Sequence, residues 1–310
     1  MPICEADPWR LQYFMHAYCP PDVNIPTEDC DAWLWYPAQR WVYDKIAVAQ
    51  SQGIEAAPHG VMPSRFPVFS KPITNLRGMG VASRVLHDAS EYAQNLTPGH
   101  MWMTLLQGRH VSSDVVIVDG EPRWWRHVTG EPSGDGTFDY WTVHAAAEPA
   151  IEDYCGAWIA RHLRGYTGIL NIETIGARMI EVHLRMSDQW PDLYGAGWLD
   201  AVVRLYAQRE WAFADRERRN GYSVVLFGPH GPKYRHPPAA LLARVGSMPG
   251  VSSVQITFHE GKGSARTRHA ARRLPACHRE CLEPRRRICR TRHAERVFAC
   301  PGCLIGAHQV

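Results

Sequence analysis

Two hairpin patterns constrain the fold of this chain more strongly than any other feature of its sequence. Residues 111–118 and 123–128 are rich in β-branched and aromatic side chains, and the Asp119-Gly120 pair between them is typical of a tight hairpin turn. Residues 168–174 and 179–184 have the same character and are joined by a short loop that contains glycine. These patterns predict antiparallel strand pairs in both places.

Apolar residues between the two hairpins predict an amphipathic helix. They recur at spacings of three and four, which places them on one face of a helix. They are Ile151, Tyr154, Cys155, Trp158, Ile159, His162 and Leu163. Further along, we predict a helix around residues 198–206 and a β-α-β unit within residues 222–258.

The signals ahead of the first hairpin are weaker. Residues 1–40 form an entry segment in which a strand fragment is predicted at residues 32–36. A short helix is predicted at residues 44–53, and a strand at residues 66–71 leads into a glycine-containing loop. Residues 101–106 are predicted to be the first strand of a β meander that continues into the hairpin.

Composition indicates a globular protein. Hydrophobic residues make up 45% of the 310 residues and include 12 Trp, which is enough to form a sizeable core. No segment approaches the roughly 20 consecutive apolar residues of a membrane span, and the N-terminus lacks a signal-peptide pattern. We therefore expect a soluble, cytoplasmic protein without membrane partners. The nine cysteines are odd in number and unevenly spread, which disfavours a disulfide framework.

Residues 261–310 differ sharply from the rest of the chain. They hold twelve Lys and Arg against three Asp and Glu, a net charge of +9, which leaves −6 for residues 1–260 of the +3 total. They contain no Trp or Tyr. Such a composition is typical of GC-rich DNA translated in a wrong frame, so we hypothesise a frameshift near residue 261. A genuine basic, disordered appendage is the alternative.

Two binding functions for this tail stay open. Cys277 and Cys281 together with Cys300 and Cys303 have the spacing of a four-cysteine zinc site. The excess of arginine is typical of segments that bind nucleic acid. A misread frame would produce both features by accident, so neither is the preferred interpretation.

The stretch before the first hairpin carries the most informative motifs. Tyr43-Asp44-Lys45 opens the predicted short helix, and residues 50–58 contain a glycine followed by a proline. The strand Pro67-Val-Phe-Ser-Lys71-Pro then leads into Arg77-Gly78-Met79-Gly80. In their residue types and in their order along the chain, these segments resemble the ATP-grasp superfamily. The resemblance covers roughly residues 32–210. It implies an ATP-grasp domain at residues 41–260, preceded by the entry segment at residues 1–40 and followed by the tail at residues 261–310.

The chemistry of these residues suits a nucleotide phosphate chain. ATP carries about four negative charges on its phosphates, which a site balances with cations and backbone N–H donors. Lys45 and Lys71 supply cations, and Gly78 and Gly80 let a backbone approach phosphate oxygens closely. Arg77 or Met79 would close over the nucleotide.

The second hairpin supplies the acidic half of the expected site. Because side chains alternate along a strand, Glu181, His183 and Arg185 share one face, and Glu173 stands opposite them on the neighbouring strand. Paired carboxylates suit Mg²⁺. ATP-grasp enzymes have Glu-x-Asn-x-Arg at this place, and the resemblance implies metal binding by Glu173, Glu181 and the residue at 183. Here that residue is histidine, which leaves Mn²⁺ or zinc open as alternatives to a second Mg²⁺.

The resemblance also implies an adenine-binding segment. Backbone groups of Met103, Thr104 and Leu105 would contact the adenine edge, although the acidic residue that is common in the family is missing there. The segment His110-Val-Ser-Ser-Asp114 resembles the one that follows this region in the family. Its role stays open.

Together these features predict an α+β protein of the ATP-grasp type, in which two lobes with antiparallel sheets clasp ATP. The implied reaction activates a small-molecule carboxylate as an acyl phosphate for capture by an amine or thiol, with Lys71 and Arg185 as catalytic residues. The alternative is a catalytically inactive protein that binds ATP and Mg²⁺, favoured by His183 and by the short segment ahead of Asp44. A third hypothesis is nucleic-acid binding through the tail. The sequence leaves the oligomeric state open.

Overall fold

The computed structural model describes residues 13–14, 16–76, 82–132, 138–187, 189–229, 235–256 and 273–281. Side chains within residues 225–229 and 273–281 are outside the description. The predicted basic tail is thus represented by one strand at Arg273–Cys281, and its origin stays a prediction.

The strands form two antiparallel sheets. The smaller sheet has the strand order β1-β4-β2-β3, and the larger has the order β11-β12-β10-β7-β6-β5-β8-β9. The strands of the smaller sheet are β1 (Ala56–Pro58), β2 (Val68–Pro72), β3 (Arg84–Leu86) and β4 (His100–Thr104). Those of the larger sheet are β5 (His110–Val118), β6 (Glu121–Pro132), β7 (Phe138–Val143), β8 (Gly168–Ile175), β9 (Arg178–His183), β10 (Gly221–Pro229), β11 (Val251–Ile256) and β12 (Arg273–Cys281).

Six α-helices accompany the sheets in the described residues. They are α1 (Asp29–Trp35), α2 (Lys45–Ser51), α3 (Ala89–Gln94), α4 (Pro149–His162), α5 (Trp198–Gln208) and α6 (Ala239–Gly246). Short 3-10 helices lie at Arg40–Tyr43 and Pro191–Tyr194. None of the described helices is long and apolar enough to cross a membrane.

Both predicted hairpins are confirmed. Strands β5 and β6 pair through a turn in which Asp119 and Gly120 have φ values of 53° and 84°. Strands β8 and β9 pair through Gly176 and Ala177, with φ values of 56° and 63°. Two consecutive residues at positive φ match the right-handed twist of the paired strands, so each turn also determines the register of its hairpin.

Two local predictions are wrong. Residues 32–36 were expected to form a strand, but they lie in α1 and just past its end, where acidic Asp29 and Asp31 in the first turn favour helix. Residues 101–106 were expected to begin the meander, but β4 pairs with β1 and β2 in the smaller sheet. Strand propensity identified β4 correctly, whereas its partners depend on contacts between distant parts of the chain.

The larger sheet has different coverings on its two faces. Helix α4 packs on one face through Ile151, Cys155 and Ile159, which join Val115 and Leu170 of the sheet in one core. This confirms the amphipathic helix. The other face is apolar only over part of its area, where a second core is formed. It includes Val116, Trp124, Val128, Val143, Ile169, Trp190, Tyr194 and Trp198. The rest of this face carries polar side chains.

The β5–β6 turn provides a test of local strain. A Cβ added at Gly120 would lie 3.0 Å from Arg164 Cα and 3.1 Å from the Leu163 carbonyl oxygen. At Gly165, which also has positive φ, an added Cβ would meet no atom within 4 Å. We expect Gly120→Ala to lower the free energy of unfolding by about 2–4 kcal/mol, because overpacking adds to the cost of a left-handed alanine.

The matched control is Gly165→Ala, which has only the backbone cost of about 1–2 kcal/mol. Urea denaturation followed by tryptophan fluorescence measures both variants. Equal destabilisation would show that the contacts at Gly120 relax without cost.

Candidate active site

Lys45 enters the polar part of the larger sheet from the first turn of α2. The Asp44 carboxylate caps this helix by accepting hydrogen bonds from Ile46 N at 2.9 Å and Ala47 N at 3.2 Å. The Lys45 ammonium then lies 3.0 Å from Glu181 Oε1. Lys45 is only 5% exposed. A charge this well buried depends on its partner, because desolvation is costly without compensation.

Gln52 holds α2 along β9, the edge strand of the larger sheet. Its side-chain amide donates to Met179 O at 2.9 Å, and its carbonyl accepts from Met179 N at 2.9 Å. Tyr154 of α4 also donates to the Gln52 carbonyl. The side chain thus replaces a neighbouring strand at this point. This attachment determines where Lys45 meets Glu181.

Lys71 reaches the same place from the smaller sheet. Its ammonium donates a hydrogen bond of 2.6 Å to Ile180 O of β9. Burial lowers the pKa of Lys71 to about 8, and the nearby Lys45 charge acts in the same direction, while Glu181 and Glu173 oppose them. Two lysines from separate elements therefore meet at one strand. They form the concentration of positive charge that the sequence predicted.

Glu173 and Glu181 are direct cross-strand partners in β8 and β9, as predicted. His110 Nε2 of β5 lies 3.2 Å from Glu173 Oε2. Burial opposes the charged form of both groups, but their hydrogen bond outweighs it, so the pKa of His110 is raised and that of Glu173 is lowered to about 2. Glu173 thus stays ionised near Lys71.

His183 and Arg185 converge on Asp29, which the sequence analysis missed. His183 Nδ1 lies 3.0 Å from Asp29 Oδ1, and Arg185 donates to Asp29 Oδ2 at 2.9 Å. Tyr43 also donates to Asp29, and its oxygen accepts from Leu184 N. Burial disfavours the Asp29 carboxylate, yet Arg185 and His183 outweigh it and lower its pKa. No local pattern marks Asp29, because its charged partners His183 and Arg185 are 154 and 156 residues away in the sequence.

A second buried carboxylate, Asp114, was also missed. It accepts hydrogen bonds from Asn171 Nδ2 at 2.8 Å, Tyr194 Oη at 2.8 Å and Ser187 N at 3.0 Å. Burial raises the pKa of Asp114 to about 6 although these donors oppose the shift. Strand alternation could have indicated it, since Asp114 and Asn171 pair across β5 and β8 on the face that carries Glu173.

Several predicted contacts remain predictions. The loop residues Arg77, Gly78, Met79 and Gly80 lie outside the described residues. Met103 and Thr104 end β4, where Thr104 N donates to Glu55 O, and Leu105 follows the strand. The side chains of the four tail cysteines also lie outside the description.

Glu173 and Glu181 are the side chains of this site that suit a metal ion. Within the described residues, no group of three or more His, Cys, Asp and Glu side chains is arranged to hold a metal ion. His183 has Asp29 at Nδ1 and Glu181 Oε1 at 3.7 Å from Nε2. A carboxylate bonded to one ring nitrogen commonly orients a metal-ligating histidine, so His183 as a ligand stays a prediction. Two adjacent carboxylates fit Mg²⁺, which commonly takes one or two protein carboxylates and completes its shell with phosphates and water.

Solved structures with the same architecture were found. An L-amino acid ligase from Bacillus licheniformis superposes with a TM-score of 0.59 at 11% identity, covering 93% of this chain and 82% of that one. A carboxyaminoimidazole ribonucleotide synthase from Aspergillus clavatus, complexed with ATP, has a TM-score of 0.57 at 13% identity, with 84% and 73% covered.

A third match is the biotin carboxylase domain of a Hydrogenobacter thermophilus 2-oxoglutarate carboxylase, in complex with magnesium ADP and bicarbonate. Its TM-score is 0.50 at 13% identity, with 75% and 57% covered. A scan against protein-family models and a search of the curated proteins found no match. The similarity to these solved structures, together with the sheet topology, shows that the chain has the ATP-grasp fold. This fold is an α+β architecture with two antiparallel sheets. This confirms the predicted fold class.

The Asp29 cluster generates a stability prediction. Asp29→Asn removes the negative charge that compensates buried His183 and Arg185, and we expect a loss of about 3 kcal/mol in the free energy of unfolding at pH 7. Asp31→Asn, two residues along the same helix, is the matched control and should change stability by less than about 0.5 kcal/mol. Chemical denaturation compares the two. Similar losses in both variants would mean that Asp29 contributes only helix-terminal charge.

Proposed function

We propose that this protein is an ATP-dependent ligase that activates a carboxylate as an acyl phosphate. One observation carries the proposal. Lys45 and Lys71, from separate elements, both reach β9 of an ATP-grasp fold, where Glu181 is the cross-strand partner of Glu173 on β8. Neighbours of this fold include an amino acid ligase and an enzyme complexed with ATP.

The charges suit a triphosphate and its magnesium ion. Lys45 and Lys71 would neutralise phosphate oxygens, and Glu173 and Glu181 would hold Mg²⁺ against the same phosphates. When bound, Mg²⁺ would offset charge on the transferring phosphate. A solved neighbour in complex with magnesium ADP supports this cofactor pair. Mn²⁺ is the alternative ion, since it also accepts carboxylate ligands.

The reaction would proceed in two balanced steps. The substrate carboxylate oxygen bonds to the γ-phosphorus, and the bond from that phosphorus to the bridging oxygen breaks, so ADP leaves with the electron pair. An amine or thiol then attacks the acyl carbon and releases phosphate and a proton. Lys71 and Arg185 would offset charge on the transferred phosphoryl group, and Asp29 holds the Arg185 guanidinium in place.

A second candidate function is nucleotide binding without catalysis. His183 favours it, because this histidine stands where ATP-grasp enzymes have an asparagine and is held by Asp29. Such a protein would bind ATP and Mg²⁺ but form no acyl phosphate. The two functions differ in turnover, which makes them separable by experiment.

Substitutions of Lys71 and Glu181 test nucleotide binding and turnover separately. We expect Lys71→Ala to weaken binding of magnesium ATP by about 10- to 100-fold, since it removes a buried contact to phosphate. Glu181→Gln should reduce carboxylate-dependent ADP release by about 100-fold or more. Titration calorimetry measures the first and a coupled ADP assay the second.

Arg84→Ala is the control, because Arg84 is exposed and its side chain hydrogen-bonds to Asn95, away from the two lysines and two glutamates. It should resemble the wild type in both assays. A folded wild type that binds no ATP would refute the site. Binding that depends on Lys71, without turnover of any carboxylate, would favour the second candidate.

The lowered pKa of Lys71 predicts a pH dependence of binding. Because burial places this pKa at about 8, the ammonium is charged at pH 7 and loses its proton as the pH rises through 8. The affinity for magnesium ATP should therefore fall by about tenfold between pH 7 and pH 9. Binding at pH 9 should also take up a proton, which calorimetry in buffers of different ionisation enthalpy detects.

Lys71→Arg provides the control for this pH profile, since a guanidinium stays charged throughout the range. Its profile should be flatter than that of the wild type. An equally steep fall in the Lys71→Arg variant would assign the titration to another group.

A further inference from the structure

Aromatic side chains share the sheet face that carries the two glutamates. Cross-strand partners point to the same face, and the partner series runs from Glu181 to Glu173, then to Ser112 and Val128. Gly130, two residues beyond Val128, pairs with Trp141 of β7. Trp141 therefore lies on the glutamate face, three strands away from Glu173.

A β-bulge brings Phe138 to the same face. The register passes from Glu131 opposite Tyr140 to Pro132 opposite Phe138, which leaves Asp139 as an extra residue. Residues three apart on a regular strand point to opposite faces, but the bulge places Phe138 and Trp141 together, with ring centroids 4.2 Å apart. Bulges commonly re-aim side chains next to active sites.

Gly130 makes room for the Phe138 ring. A Cβ added at Gly130 would overlap Phe138 Cδ1 and Cε1, so any other residue would displace the ring. The ring therefore lies directly over β6. Its position depends on both a bulge and a glycine, which is more than general burial of an apolar side chain requires.

The rings form a continuous row that begins at the charged site. His110, which bonds Glu173, stacks with Phe138 at 6.5 Å between centroids and 30° between planes. Trp141 follows Phe138 and contacts Trp190 at 5.3 Å. Trp190 is 2% exposed, whereas Phe138 and Trp141 are half-buried. We call His110, Phe138 and Trp141 the aromatic row.

We propose that the aromatic row binds the side chain of the carboxylate substrate, and that this substrate is a carboxylic acid with an aromatic or bulky apolar side chain. The inference rests on the proposed ligase function. The reacting carboxylate must meet the γ-phosphate near Glu173, and the row starts at the residue bonded to Glu173. Half-exposed aromatic rings bind apolar groups by stacking and burial. A small acid would leave the rings uncovered.

The test compares 3-phenylpropionate with propionate, which share a carboxylate and differ by one ring. Hydroxylamine serves as a general acceptor, because it attacks an acyl phosphate and yields a hydroxamate and phosphate. We expect kcat/KM for hydroxamate formation to favour 3-phenylpropionate by at least about tenfold. Phe138→Ala should reduce this preference to less than about threefold, and Phe138→Tyr should retain it.

Trp125→Leu is the matched control, since Trp125 is a partly buried aromatic of β6 on the opposite face, where it packs on the α4 side. Its substrate preference should equal that of the wild type. The affinity for magnesium ATP should change by less than about twofold in Phe138→Ala. Weakened ATP binding in that variant would assign the row to adenine and overturn the proposal.

A binding measurement separates this proposal from the ligase function. Calorimetry with 3-phenylpropionate, in the presence of magnesium and a non-hydrolysable ATP analogue, should show binding that Phe138→Ala weakens at least tenfold. Binding without turnover would support the row and refute the ligase function. Turnover of propionate as efficient as that of 3-phenylpropionate would refute the row and support the ligase. ATP binding with neither binding nor turnover of 3-phenylpropionate would overturn the proposal.

Discussion

The buried ion pair between Lys45 and Glu181 places demands on much of the surrounding structure. An ammonium removed from water needs a fixed partner, so α2 must begin at one exact place along β9. The Asp44 cap determines where the helix begins, and Gln52 binds the backbone of Met179 to determine where the helix lies. Asp44 and Gln52 both act through ordinary hydrogen bonds to backbone groups. Together they position a lysine and a glutamate that the sequence separates by 136 residues, from 45 to 181.

The polar part of the larger sheet departs from the rules that govern the rest of the core. Elsewhere both faces bury apolar residues, whereas here Glu173, His110, Asp114 and Asn171 lie on one face. Local rules are commonly broken at functional sites, where stability is exchanged for chemistry. The charged groups of this region also differ in how firmly their partners hold them. Asp29 binds Arg185 and His183 tightly, while Lys71 keeps a pKa of about 8 that responds to its surroundings.

Sequence patterns predicted the elements of the fold better than their partners. The Asp119-Gly120 turn, the 149–162 helix and the β8–β9 hairpin follow from residues close together in the chain, and all three are present. The face shared by Glu173 and Glu181 also followed from alternation. The strand at residues 101–106 was assigned to the wrong sheet, because pairing depends on which distant strands are available. Residues 32–35 lie in a helix although their aromatic side chains have strand propensity.

By itself, the sequence determined the local geometry of this protein and the chemical types in its candidate site: two lysines, two glutamates and an arginine, in an order that resembles the ATP-grasp superfamily. Only the tertiary structure decided which other residues bind these side chains and hold them in position. Asp29 became the partner of His183 and Arg185, and Gln52 that of Met179, through contacts between segments far apart in the chain. Local patterns report short-range propensity, whereas desolvation and ion pairing depend on three-dimensional neighbours, so the environment of each charge emerges only when the chain is folded.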